Sequence, residues 1–121
     1  MPRKGYVPTE DQDCMTLVQW MELKGLRFSH IPQETFTRNW GIKIKNKKKG
    51  VRKGVPDYII VHAQKILFIE MKRSALKNQP SSVKQEQQEW IAELNTVPSV
   101  TAVVCFGFDE AIATITRVLN V

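Results

Sequence analysis

The fold is decided by one stretch, residues 57–72, which reads DYIIVHAQKILFIEMK. It contains two runs of β-branched and aromatic residues, 58–61 and 66–71, which predict two strands. Four residues separate the runs, which is a connection of hairpin length. We therefore expect an antiparallel hairpin at the centre of the fold.

The centre of this hairpin determines which side chains face one another. If the turn is centred between Ala63 and Gln64, Asp57 lies directly opposite Glu70. Opposed side chains on one sheet face have Cβ atoms about 5 Å apart, close enough for two carboxylates to share a divalent cation. Lys72 projects to the same face because strand side chains alternate in direction. The pattern predicts two carboxylates and an ammonium at one site, although Ala-Gln is not a favoured two-residue turn.

The remaining segments predict helices and strands around this hairpin. Capping boxes begin two helices, at Thr9 with Gln12 and at Ser82 with Gln85. The full predicted order is a helix from Thr9 to Gly25, a strand over 26–31, a basic loop, the hairpin, a helix from Ser82 to about Leu94, a strand over 100–106 and a last helix from Asp109. This order indicates an α/β fold with a mixed sheet covered by helices.

Two polar side chains lie on the inward faces of the predicted helices. Glu10 lies on the apolar stripe of the first helix, and Gln87 on that of the second. The stripes consist of Cys14, Leu17, Val18 and Met21, and of Trp90, Ile91 and Leu94. Burial of a carboxylate or amide without a partner costs about a few kcal/mol. A metal site at the edge of the sheet would supply that partner.

Each of these polar residues also has an ordinary structural explanation. Glu10 could merely favour the positive end of a helix dipole, and Gln87 could lie at the rim. Asp57 could cap a turn, while Glu70 and Lys72 could form a solvated pair on an edge strand. Their joint placement beside a basic stretch favours a functional site. The chemistry that suits the set is metal-assisted phosphodiester hydrolysis, in which the metal withdraws charge from the phosphate and lysine steadies the developing negative charge.

The positive charge of the chain is concentrated in one segment. The protein has 18 Lys plus Arg against 12 Asp plus Glu, a net charge of +6. Residues 38–53 hold eight basic residues and no acid, and the remainder has 10 basic against 12 acidic residues. These residues are Arg38, Lys43, Lys45, Lys47, Lys48, Lys49, Arg52 and Lys53. Trp40 and several glycines interrupt the run, so we expect a loop or twisted ribbon that follows a phosphate backbone without reading base identity. A solvated, mobile loop is the alternative.

Composition places the chain among ordinary globular proteins. Its 121 residues are 42% hydrophobic and 25% charged, which predicts one domain over residues 1–121. No span approaches the roughly 20 apolar residues of a membrane helix, and the start of the chain predicts no signal peptide and a cytoplasmic location. Cys14 and Cys105 are expected as buried thiols. His30 and His62 lack a metal-ligand spacing and are interpreted as surface or satisfied residues.

The hairpin residues resemble the PD-(D/E)XK nuclease signature. It consists here of Gly54-Val55-Pro56-Asp57, twelve intervening residues and Glu70-Met71-Lys72. More narrowly, the chain is similar to stand-alone VRR-NUC domains of phages and bacteria over nearly its whole length. Further matching positions are Glu10, Ile31-Pro32, Gly50 to Asp57, Gln87, Trp90, Gly107 and Glu110-Ala111. Two departures are Cys14, where relatives often have Gln, and Gln33-Glu34, which we leave out of the site.

The resemblance implies a fold, a site and a substrate. The fold is a restriction-endonuclease-like αβββαβ core, here with an extra C-terminal helix. The metal ligands would be Glu10, Asp57, Glu70 and the backbone carbonyl of Met71, holding Mg²⁺ or Mn²⁺ with no small-molecule cofactor. Lys72 would be catalytic, with Glu10 and Gln87 completing the site.

Stand-alone members of this family resemble Holliday junction resolvases, which are homodimers that cut branched DNA. The expected protein is therefore a structure-selective, metal-dependent DNA endonuclease in the cytoplasm of a bacterial or phage-infected cell. One alternative is a non-catalytic nucleic-acid-binding module with a nuclease-like fold. Another is an interaction protein whose basic run contacts an acidic partner.

Overall fold

Helices and strands are interspersed along the chain, as in an α/β fold. The computed structural model describes residues 7–32 and 39–121, so Gln33, Glu34 and Arg38 lie outside the described residues. The elements are α1 (Glu10–Leu23), β1 (Arg27–His30), α2 (Trp40–Lys48), β2 (Tyr58–His62), β3 (Lys65–Lys72), α3 (Gln85–Leu94), β4 (Val100–Phe106) and α4 (Phe108–Leu119), with 3₁₀ turns at Ser74–Leu76 and Pro80–Ser82. The predicted αβββαβ order with a C-terminal helix is confirmed, with α2 as an addition.

The sheet is mixed and has the strand order β1-β2-β3-β4. The β1–β2 and β2–β3 pairs are antiparallel, whereas β3 and β4 are parallel. One sheet face packs against α1 and α4, where Leu17, Met21 and Ile115 are fully buried with Ile60 and Ile69. This core holds the ends of β2 and β3 in place, and the predicted site residues lie at those ends.

The hairpin has the predicted register. Tyr58 pairs with Ile69 and His62 with Lys65, so the turn is centred between Ala63 and Gln64. Both turn residues have positive φ, 50° and 68°, the left-handed conformation of a two-residue turn that matches the twist of its strands. This conformation costs a residue with a Cβ about 1 kcal/mol or more, and the strand pairing around the turn offsets that cost.

One helix start is confirmed and another is corrected. At α1, the Thr9 hydroxyl accepts from the Gln12 N–H (3.2 Å), and the Thr9 N–H donates to the Gln12 side chain (2.8 Å). The prediction that Ser82 caps the second long helix is wrong, because Ser82 ends a 3₁₀ turn and α3 begins at Gln85. The cap residue is Lys84, whose backbone N–H donates to the Gln87 side-chain oxygen at 3.0 Å. That bond needs only the backbone of residue 84, so no Ser or Thr is required there.

The prediction of a loop or ribbon for the basic segment is also wrong. Residues 40–48 form α2, whose first turn is capped by the Asn39 side chain accepting from the Ile42 N–H at 3.1 Å. Lysines in its last turn face the negative end of the helix dipole, and Gly50 follows with φ of 94°. Gly41 is tolerated because it lies in the first turn.

The two cysteines are free thiols. Cys105 is buried, as predicted, whereas Cys14 is only half-buried. Burial raises the pKa of each thiol to about 11, which keeps it protonated and unreactive near neutral pH. Within the described parts of the chain, no helix is long and apolar enough to cross a membrane.

Candidate active site

The five predicted site residues come from four separate elements. Glu10 begins α1, Asp57 immediately precedes β2, Glu70 and Lys72 end β3, and Gln87 lies in the first turn of α3. The structure joins three of these side chains by direct contacts, Glu70 with Lys72 and with Gln87. It also places Glu10 and Asp57 within electrostatic reach of Glu70.

Asp57 is fixed by contacts to both neighbouring strands. Its Oδ2 accepts from the backbone N–H of Met71 at 2.7 Å, and its backbone carbonyl accepts from the N–H of Ile31 at 2.6 Å. Continuing the hairpin register places Pro56 opposite Met71. Because proline has no N–H, Pro56 cannot donate a hydrogen bond of the β2–β3 ladder to the Met71 carbonyl. The Met71 carbonyl therefore receives no such bond from Pro56.

Glu70 is the most enclosed carboxylate of the site. The residue is 4% exposed, and its Oε2 accepts from the Gln87 amide at 3.0 Å and lies 3.7 Å from the Lys72 ammonium. Burial, and then the nearby Asp57 carboxylate, raise the pKa of Glu70 to about 8. Burial also raises the pKa of Asp57, although the Met71 N–H acts in the opposite direction. Without a cation, the carboxylate pair therefore retains a proton near neutral pH.

Gln87 is oriented by the helix cap. Its side-chain oxygen accepts from the Lys84 N–H, so its amide nitrogen is directed to Glu70. The predicted inward placement of Gln87 is thus confirmed, and its partner is a carboxylate.

Glu10 lies at the margin of the site. Burial and the Asp57 charge raise its pKa, while Lys72 lowers it. Within residues 7–32 and 39–121, however, no three His, Cys, Asp or Glu side chains form a group that could hold a metal ion. The role of Glu10 as a direct ligand stays a prediction.

The backbone of Gly54, just before Asp57, packs closely against the first turn of α3. It has φ of +89°, and a Cβ there would lie 2.5 Å from the backbone carbon of Glu86 and 2.8 Å from the backbone nitrogen of Gln87. Real side chains do not approach backbone this closely, so only glycine permits the contact. The resemblance included Gly54 in its motif, but no feature of the sequence indicates the helix it touches.

Substitution of Gly54 by alanine should therefore disturb the site through α3. We expect a loss of stability of about 1–3 kcal/mol from the steric conflict and a displaced Gln87. Gly50→Ala is a matched control, since Gly50 has a similar φ of +94° but open space around its Cβ position. Both variants carry the backbone strain, but only Gly54→Ala carries the steric conflict with α3, so thermal unfolding should show a larger loss of stability for Gly54→Ala. Equal losses of stability in the two variants would contradict the close contact between Gly54 and α3.

A cleft of about 590 Å³ opens beside the carboxylates. It is lined by residues of α1, β1 and β2, among them Glu10, His30, Asp57 and Tyr58. The His30 ring centroid lies 5.2 Å from that of Tyr58, and His30 opposes the burial that raises the pKa of Asp57. His30 is exposed, as the sequence predicts, and the structure places it beside the site. It reaches this position through its pairing with Tyr58 across β1 and β2, which no local pattern in the sequence indicates.

A second cavity, of about 670 Å³, lies between α1, the first 3₁₀ turn and the start of α4. None of the five predicted site residues lines it. The buried carboxylate of Asp13 accepts from the Phe108 N–H at this position. Asp13 thereby caps α4 from a neighbouring helix, which gives it a structural role.

The basic residues are exposed along α2 and the segment that follows it. They are Lys43, Lys45, Lys47, Lys48, Lys49, Arg52 and Lys53. None of these residues is buried, and the chain returns from them directly to Gly54 and Asp57. The segment is thus a positively charged surface that directly precedes the carboxylate site along the chain.

Known proteins share both the sequence pattern and the fold of this chain. A family model described as the VRR-NUC domain matches residues 8–109. The chain belongs to the VRR-NUC domain family. A solved structure titled "VRR_NUC domain protein" is 26% identical, covers 95% of this chain and 91% of its own, and has a TM-score of 0.73. No curated protein matches the chain. The fold of this VRR-NUC domain is accordingly of the nuclease type, in keeping with the PD-(D/E)XK superfamily.

Proposed function

We propose that this VRR-NUC domain is a metal-dependent endonuclease that hydrolyses phosphodiester bonds in DNA. The observation that carries the proposal is the position of Glu70, between the Lys72 ammonium and the Gln87 amide, in a site where burial and the Asp57 charge raise its pKa to about 8. Crowded carboxylates beside a lysine are unfavourable for folding alone and suit a site that receives a cation.

The donor set fits Mg²⁺ or Mn²⁺. Asp57 and Glu70 would hold the ion with the Met71 carbonyl, which faces the same edge as the Met71 N–H because both groups of a strand residue point to one side. Mg²⁺ in proteins usually has one or two carboxylate ligands and retains several waters, so a third direct carboxylate is not needed. When bound, the ion would withdraw charge from the phosphate and acidify a water.

The side chains of the site have distinct roles in this proposal. Lys72 orients the attacking water and stabilises negative charge that develops on the phosphate. Gln87 holds Glu70 in position through its amide, and Glu10 adds negative charge at the margin of the cleft. Gly54 keeps the Asp57 segment against α3.

The proposed substrate is branched DNA, including four-way junctions, cut by a homodimer. A two-fold dimer would present two sites to two strands of opposite polarity. The test is a panel of labelled branched and linear DNAs incubated with Mg²⁺ or with chelator. Cleavage of branched DNA only in Mg²⁺ supports the proposal, and absence of cleavage of every DNA in Mg²⁺ and Mn²⁺ contradicts it.

A non-catalytic nucleic-acid-binding module is the second candidate function. The exposed lysines of α2 favour it as much as they favour a nuclease, because they bind phosphates without cutting them. Metal titration separates the two, since only the nuclease requires a bound ion. Calorimetry that detects no Mg²⁺ or Mn²⁺ binding would favour the module.

Neutralising three lysines together should weaken DNA binding. The variant is Lys47→Gln, Lys48→Gln and Lys49→Gln, and it removes up to three cations that can bind phosphates. The slope of log affinity against log salt should fall by about 0.9 for each phosphate that the variant leaves unneutralised. Fluorescence polarisation at several salt concentrations measures this slope. An unchanged affinity and slope would exclude this surface from DNA binding.

A further inference from the structure

Charge alone does not explain one side chain of α2. Trp40, the first residue of the helix, is 72% exposed. Tryptophan is on average highly buried in folded proteins, and Trp20 and Trp90 of this chain are both partly buried. The exposed indole of Trp40 is available for contact with a binding partner.

Trp40 lies on the side of α2 that faces solvent. Asn46 is the one residue of the helix that is not exposed, and it marks the side turned to the rest of the protein. Helical spacing places Trp40, Ile44, Lys47 and Lys48 on the side turned away from Asn46. An apolar strip with an aromatic ring is thus flanked by cations.

The charges of α2 favour a polyanion as the partner of this helix. Lys43 and Lys47 are four residues apart, as are Lys45 and Lys49, and like charges at this spacing repel on a helix. A polyanion relieves this repulsion. Symmetric packing of α2 against a second copy would double it, since both helices carry the same lysines.

An aromatic ring among lysines fits a nucleic acid with unpaired bases. In a continuous duplex the flat faces of the bases are covered by neighbouring bases, and wedging a side chain between them costs free energy. At a gap, flap or open branch point these faces are accessible. Stacking of a base on an aromatic side chain strengthens binding about tenfold or more.

We propose that Trp40 stacks on an unpaired base while Lys47 and Lys48 contact the flanking phosphates. Residues 40–48 of α2 span about 12 Å and the chain from Lys48 to Gly54 spans at most about 20 Å, so Trp40 lies at most about 32 Å from Gly54, which contacts α3 at Gln87. The stacked base would therefore lie within about one DNA helical turn of the carboxylates, since one turn is about 34 Å. The inference rests on the proposed function and names the feature of the substrate that α2 recognises.

The test compares two DNAs of equal length, a continuous duplex and the same duplex with a short single-stranded gap. Fluorescence polarisation in chelator measures binding without cleavage. The wild-type protein should bind the gapped DNA about tenfold more tightly, and Trp40→Leu should lose this preference while its affinity for continuous duplex and its salt slope stay the same. Trp40→Phe should retain most of the preference. Ile44→Ala, on the same side of α2, is the matched control and should retain it fully.

Indole fluorescence provides a second measurement. Stacking of Trp40 should quench fluorescence when gapped DNA is added, and the quenching should be absent in Trp40→Phe. A Trp40→Leu variant that keeps the full preference for gapped DNA overturns the inference alone, leaving the nuclease proposal intact. Failure to bind the gapped DNA overturns the inference, whereas the nuclease proposal is tested separately by the cleavage panel in Mg²⁺ and Mn²⁺.

Discussion

Replacement of Lys72 by alanine should lower the rate of DNA cleavage by about 10³-fold or more. Its ammonium lies 3.7 Å from Glu70, and the Lys72 side chain is largely buried, with 14% of its surface exposed. Proton transfer or charge stabilisation by one positioned group contributes about 10²–10⁴-fold in enzymes. Single-turnover cleavage of labelled DNA in Mg²⁺ measures the effect.

Lys65→Ala is the matched control for this variant. Lys65 lies at the opposite end of β3, and its ammonium donates to the Val118 carbonyl at 3.2 Å, away from the site. Cleavage by Lys65→Ala should be near wild type, while DNA binding should be nearly unchanged in both variants. A folded Lys72→Ala protein that cuts at the wild-type rate would refute the assigned role.

Replacement of Glu70 by glutamine should stabilise the metal-free protein and should also abolish the stabilisation of the protein by Mg²⁺. In the metal-free protein at pH 8, the variant should be more stable than wild type, because it removes a buried carboxyl crowded by Asp57. The gain should be on the order of a few kcal/mol, or about 10 °C in Tm. The stabilisation by Mg²⁺ that wild type shows should be absent from the variant.

The pH dependence of stability has a defined sign. The pKa of Glu70 is raised from 4.5 to about 8 on folding, so between these values the folded state holds a proton that the unfolded chain releases. The metal-free wild type should therefore lose stability as pH rises from about 4.5 to 8, and Glu70→Gln should lose much less. Thermal unfolding across this range, with the exposed-site variant Glu93→Gln as control, measures the difference. If the stability of Glu70→Gln and that of wild type depended on pH in the same way, Glu70 would not have the raised pKa that burial and the Asp57 charge give it.

The hairpin was predictable because its pattern is local. Two β-branched and aromatic runs with a four-residue connection predict the hairpin, and the assumed turn centre between Ala63 and Gln64 places Asp57 opposite Glu70. The observed register, continued by one position beyond the Tyr58–Ile69 pair, agrees with that placement. The inward placement of Gln87 followed from helical spacing, and its amide does reach Glu70. These features depend on residues close in sequence, where spacing determines direction.

The missed features depend on contacts between distant segments or on a misread local signal. The contact of Gly54 with α3 joins segments more than thirty residues apart, and nothing in the local sequence indicates which backbone it meets. His30 reaches the cleft only through the β1–β2 pairing. The sequence does contain the residue that caps α2, Asn39. Gly41, two residues later, favours a loop over a helix in an interpretation of the sequence. In the structure Gly41 lies in the first turn of α2, where a glycine is tolerated.

The proposed nuclease depends on one divalent ion held by Asp57 and Glu70 beside Lys72. The most direct test is a crystal structure of the protein soaked in Mn²⁺, with anomalous scattering used to locate the ion. We expect one strong peak within ligand distance of both carboxylates and of the Met71 carbonyl, and no such peak in Glu70→Gln. A peak elsewhere, or none at saturating Mn²⁺, would show that Asp57 and Glu70 do not share an ion.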